Sequence, residues 1–127
     1  MLRRFKLCRL GLGRTAQLPK IEMLPLSQRS GLEALGTAVL AFTISRVGTA
    51  DLNGFEQSMS ICLCLALLIH VIGRFSGAHF NPAVTVLLTQ QRFGQKAFRS
   101  VESWLEAGSY IVAQIIGALI GFALTPA

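Results

Sequence analysis

Apolar residues in this chain fall into three long blocks separated by polar stretches, with no sustained alternation of the kind a sheet would need. The first block runs from Gly31 to about Ala50, around Leu35-Gly36-Thr37-Ala38-Val39-Leu40-Ala41-Phe42. Roughly 20 residues cross a bilayer as a helix, so this block predicts one transmembrane span, with Arg46 snorkelling to an interface. A polar, acidic connection (Asp51 to Gln57) leads to a second, shorter block from Ser58 to Gly73 and a second predicted span. A third block, Gly108 to Thr125, predicts the last, and its Gly117-x-x-x-Gly121 spacing allows close helix approach. Between the second and third blocks, Gln90 to Ala107 carries Arg92, Lys96, Arg99, Glu102 and Glu106, with Phe93, Ala97, Val101, Trp104 and Leu105 at helix-like spacing. This pattern predicts an amphipathic segment on the membrane surface, with Trp104 at headgroup level.

One stretch breaks the pattern: Ser76-Gly77-Ala78-His79-Phe80-Asn81-Pro82-Ala83-Val84-Thr85, a polar turn directly after the second block. Asn81 reads as an N-cap and Pro82 as the first helical residue, where its missing N–H costs nothing. Glycine at position 77 permits a close turn. The helix from Pro82 and Ala83 to about Thr89 is too short to span. Irregular backbone followed by a half-helix is tolerated at membrane depth only where protein buries it or it lines a polar cavity. The expectation is a re-entrant, pore-loop arrangement.

Composition sharpens this picture. Of the 127 residues 52% are apolar and the mean hydropathy is +0.55, which in blocks indicates a membrane protein. A net charge of +6 raises nucleic-acid binding. Six of the twelve basic residues (Arg3, Arg4, Lys6, Arg9, Arg14 and Lys20) lie in the first 20 positions, however, and most others flank apolar blocks. That distribution follows membrane topology, and nucleic acid is excluded as a partner. Residues 1–28 are expected to form a poorly ordered basic cytoplasmic tail; an organellar transit peptide, or an over-extended start before Met23, is the alternative for residues 1–22. Seven basic residues precede the first span, only Arg46 falls between the first and second, and Arg74, Arg92, Lys96 and Arg99 follow the second. The charge bias places the N-terminus in the cytoplasm, in a plasma or inner membrane, with an organellar membrane as the alternative.

The Ser-Gly-Ala-His-x-Asn-Pro-Ala-Val-Thr run resembles the first signature loop of the aquaporin and aquaglyceroporin family, channels for water and small neutral solutes such as glycerol. The resemblance covers about Gly31 to Thr125, the first of two inverted repeats. It implies that Asn81 donates to a permeant oxygen and that the carbonyls of Gly77, Ala78, His79 and Phe80 form a ladder of acceptors along one pore wall. It also implies that Glu33, in the Glu33-x-x-Gly36-Thr37 setting, braces the loop amides, and that Gln114 bonds within the bundle. Ile61 matches a position of the outer constriction, where water-selective members place an aromatic or histidine.

The expected fold is therefore an all-α membrane protein: three transmembrane helices (31–50, 58–73 and 108–125) plus a re-entrant Asn-Pro-Ala half-helix (82–89), in a half-domain over 29–127. One repeat makes one wall of such a channel, so function is expected to need a homo-oligomer, a complementary C-terminal half or a full-length family member. Gly73 and the Gly117/Gly121 face resemble positions that pack against the other half, and without it they are expected to be left exposed to lipid. A non-conducting membrane interaction protein, or a truncated or split gene product, is the alternative. No nucleophile with a base, no phosphate loop and no cofactor motif is present, so no enzyme is expected. Cys62 and Cys64 are two apart on a helix and face different directions, so with His70 they are expected to pack and not to hold a metal.

Overall fold

A computed structural model describes residues 24–93 and 100–125, without the side chains of residues 92 and 93. All regular structure among these residues is helical, with no strand: α1 (Leu26–Thr49), α2 (Gly54–Ser76), α3 (Pro82–Phe93) and α4 (Val101–Ala123). At 1.5 Å per residue the three long helices are each about 35 Å long, enough to cross a bilayer. Two of them are also apolar enough by composition, α2 with a mean hydropathy of 1.9 and α4 with 1.5. α1 has the length, but Glu33 and Arg46 lie within it and keep it out of that pair.

Several boundaries move. α1 starts at Leu26, inside the stretch expected as tail, because the Pro25 carbonyl accepts the amides of Gln28 and Arg29 and closes the first turn. The rest of that tail, residues 1–23, lies outside the described residues. α2 starts four residues before its apolar block through a capping box: Asn53 Oδ1 accepts the amides of Phe55 and Glu56, and the Glu56 carboxylate accepts the Asn53 amide. α3 continues to Phe93, since Gln90, Gln91 and Arg92 are good helix formers and no breaker precedes Gly94.

The surface segment expected over 90–107 is not one element. Its start belongs to α3, its middle lies outside the described residues, and Val101 to Ala107 are the first turns of α4. Nothing between Val101 and Ala123 interrupts a helix: there is no proline, and the apolar period carries through. Trp104 is exposed on these turns.

α4 packs along α1. Gly117 and Gly121 are buried there, and a methyl at either would strike backbone, the carbonyl oxygens of Ala34 and Ala38 respectively. The close approach predicted from this spacing therefore occurs within the chain, and the expectation that the Gly117/Gly121 face is left exposed to lipid is corrected. An interaction protein docking through Gly117 and Gly121 loses its surface for the same reason. Gly73 has only ordinary neighbours, Ala78 and Ile69.

Candidate functional site

α2 ends where Gly77 turns into the left-handed region (φ 99°) and donates its amide to the Gly73 carbonyl at 2.9 Å. Two further residues in the next three have positive φ, Ala78 at 50° and Phe80 at 48°. For residues with a side chain that conformation costs on the order of 1–3 kcal/mol each and persists only when surroundings impose it. The surroundings here centre on one residue.

Glu33, on α1, is completely buried and accepts four hydrogen bonds. Its Oε1 accepts from Ser76 Oγ at 2.6 Å and the His79 amide at 3.0 Å; its Oε2 accepts from the Phe80 amide at 2.7 Å and Gln114 Nε2 at 2.9 Å. A buried carboxylate without such partners would be strongly disfavoured. With them, it fixes two successive amides within the strained turn. Helix α4 contributes Gln114, whose Nε2 also lies 2.9 Å from Thr85 Oγ1, and so ties α3 to the same centre. Thr85 in turn donates to the Asn81 carbonyl at 3.1 Å and contacts His79 Nδ1 at 3.2 Å.

Packing completes the hold. The buried Phe80 ring sits against Gly36, where any Cβ would collide with it. Glycine at position 36 is thus required by the ring opposite.

Asn81 stands apart from this network at the exposed start of α3. Its Oδ1 accepts the Ala83 amide at 2.8 Å and caps the helix, while its carbonyl accepts the Thr85 amide at 2.9 Å. The two Nδ2 donors make no hydrogen bond among the described residues, and neither do the carbonyls of Gly77, Ala78 and Phe80 as acceptors. Beside Asn81 and Pro82 runs a groove of about 290 Å³, walled by Leu40, Ala41 and Ile44 of α1 and Ile115 and Ala118 of α4. Ile61, half-buried on α2, is not among its walls.

A second cavity, of about 220 Å³, is lined by Gly77, His79, Thr85, Arg29, Glu106 and Tyr110, among others. His79 stands edge-on to Tyr110 with ring centroids 5.2 Å apart. The two spaces share no lining residue, and only the one beside His79 has charged side chains, Arg29, Arg74 and Glu106, in its wall. Elsewhere, Cys64 Sγ contacts Thr43 Oγ1 at 3.4 Å, Cys62 and His70 are exposed, and no group of three metal-ligating side chains occurs among the described residues.

Ser76, Thr85, Tyr110 and the Arg29–Glu106 pair carry weight that the sequence did not single out. Tyr110 gave a usable signal, because it stands four residues before Gln114 and hence on the same face of α4. The ion pair gave none, since its members are 77 positions apart.

The family model described as Major intrinsic protein matches residues 32–126. Aquaglyceroporin AqpS of Rhizobium meliloti is 33% identical over 107 residues, 78% of this chain and 42% of that protein. Nodulin-26 of Glycine max is 31% identical over 108 residues, covering 76% and 35% respectively. Probable aquaporin AqpM of Archaeoglobus fulgidus is 40% identical over 80 residues, covering 59% and 29%. The chain thus spans less than half the length of these curated relatives. No solved structure matches it.

Proposed function

We propose, from the premise that the chain belongs to the Major intrinsic protein family, that it forms one wall of a membrane channel passing water or a small neutral solute. The observation that carries this is the four-fold clasp of Glu33, which holds an irregular backbone rigid while leaving the Nδ2 donors of Asn81 unengaged. A permeation path must replace part of a solute's hydration without binding it tightly. Two amide donors fixed by a capped half-helix meet that need for a water or alcohol oxygen. The carbonyls of Gly77, Ala78, His79 and Phe80 are the complementary acceptors along the same wall. The positive end of the α3 dipole faces the permeant beside Asn81 and disfavours cations.

In this reading α1 joins α2 and α4 as a third span, because its carboxylate is wholly satisfied within the protein and presents no charge to lipid. The N-terminus is cytoplasmic, and α3 re-enters from that side. Pro82 and Ala83 begin the half-helix, Ile61 borders the outer constriction, and Glu33 with Gln114 braces the loop. The second wall comes from a complementary half, in a homo-oligomer or beside another family member.

Osmotic shrinkage of proteoliposomes, followed by light scattering, tests this. Vesicles holding this chain together with the second half of a full-length relative should shrink faster than empty vesicles, and Asn81→Asp should return the rate to that of empty vesicles. Rapid flux indifferent to Asn81→Asp, or no flux from the inserted pair, would overturn the reading.

A further inference from the structure

The wall of the cavity beside His79 contains an ion pair that neither topology nor the loop network accounts for. Arg29, near the start of α1, donates from Nη1 to Glu106 Oε1 of α4 at 2.6 Å, and from Nε to the Leu24 carbonyl at 3.1 Å. The two side chains are only 12% and 23% exposed. Removing charges from water to this degree is a poor device for stability, since the desolvation cost offsets much of the attraction. The pair does, however, fix one geometry, and that geometry bears on Tyr110. The Arg29 guanidinium lies 5.9 Å from the centre of the Tyr110 ring, and Tyr110 stands one turn beyond Glu106 on α4.

Tyr110 is the most deeply placed aromatic residue on this helix, and its hydroxyl donates to the Ser76 carbonyl at 2.7 Å. Ser76 is the last residue of α2, so its carbonyl is one of those a helix end leaves without an intrahelical donor. The same residue sends its hydroxyl to Glu33 and accepts the Ala78 amide on it at 3.1 Å. A continuous path thus runs from Arg29 and Glu106 through the Tyr110 ring and hydroxyl to Ser76, where the loop begins.

We propose that Arg29 and Glu106 are positioning residues for the loop, acting through Tyr110, whose hydroxyl sets where α2 releases the chain. Arg29, Glu106 and Tyr110 line the cavity beside His79 and not the groove beside Asn81, so the anchor controls loop order without touching a permeant in that groove. Ser30 Oγ and Ser109 Oγ, 3.1 Å apart, add a second tie between the same helix ends. The inference rests on the loop being the working element proposed above, yet its test reads the loop itself and not flux.

Amide hydrogen exchange of the full chain in lipid micelles supplies that test. Arg29→Gln and Glu106→Gln should each speed exchange at the His79 and Phe80 amides about tenfold while leaving the amides of Ala113 and Ile116, mid-α4, unchanged. The reversed pair, Arg29→Glu with Glu106→Arg, should restore the loop rates to within about threefold. Tyr110→Phe keeps the ring and loses only the hydroxyl; it should match Glu106→Gln, and the two together should exceed neither. The proposal is overturned by loop rates that do not respond, by rates that rise equally in the loop and mid-α4, or by a reversed pair no slower than the single variants. If the charged variants do not insert, Tyr110→Phe decides alone, and an unchanged loop rate sinks the idea.

Discussion

Glu33, which grips the loop from α1, and Asn81, which ends it, are treated in opposite ways. Every acceptor position of the buried Glu33 carboxylate is engaged, by a hydroxyl, two backbone amides and a side-chain amide. Asn81 is exposed, and only its acceptor side is engaged, in capping α3. The difference separates holding from acting. A polar group whose capacity is exhausted inside the protein can only shape the backbone. One left with donors facing open space can meet a solute.

Substitutions at each residue should therefore fail differently. Glu33→Leu removes the common acceptor of two loop amides, Ser76 and Gln114; with hydrogen bonds to a charged group each worth roughly 1.5–3 kcal/mol, it should cost at least about 3 kcal/mol. The midpoint of SDS-induced unfolding in mixed micelles measures this, and a loss below about 1 kcal/mol would show that the loop does not depend on the carboxylate. Gly36→Ala keeps every hydrogen bond but sets a methyl against the Phe80 ring. Overpacking of that kind should cost about 1–3 kcal/mol, with the loss appearing first as faster exchange of the Phe80 amide. Asn81→Asp should change stability least, by under about 0.5 kcal/mol, because aspartate caps a helix as well as asparagine does. If it destabilised as much as Glu33→Leu, the division between holding and acting would be wrong.

Local chemistry was legible in the sequence. Asn81-Pro82 announces a helix start through groups two residues apart, and the structure has α3 beginning at Pro82 with Asn81 capping it. The apolar blocks located α2 and most of α4 for the same reason, since a helix is written in short-range periodicity. Contacts across the chain were not legible in this way. Glu33 meets the amides of His79 and Phe80 across 46 and 47 positions, and no spacing rule relates them; only the family resemblance pointed there. Gly117 and Gly121 carried the half-message that something approaches closely, without saying that Ala34 and Ala38 do. The start of α4 was missed because Glu102 and Glu106 look like surface residues, whereas Glu106 turns inward to Arg29. A charge hides its partner when that partner lies in a different helix.

The order of the groups around Glu33 along the chain has a consequence for biosynthesis. The carboxylate is made first, the loop that it grips more than forty residues later, and Gln114 and Tyr110 last of all. While α4 is still in the ribosome, the nascent loop has the carboxylate but lacks the amide that completes its shell and the hydroxyl that takes the Ser76 carbonyl. Maturation of the loop therefore waits on α4. An arrested chain ending before residue 110 should carry α3 with its cap intact and a turn still open to protease, which closes only when translation resumes.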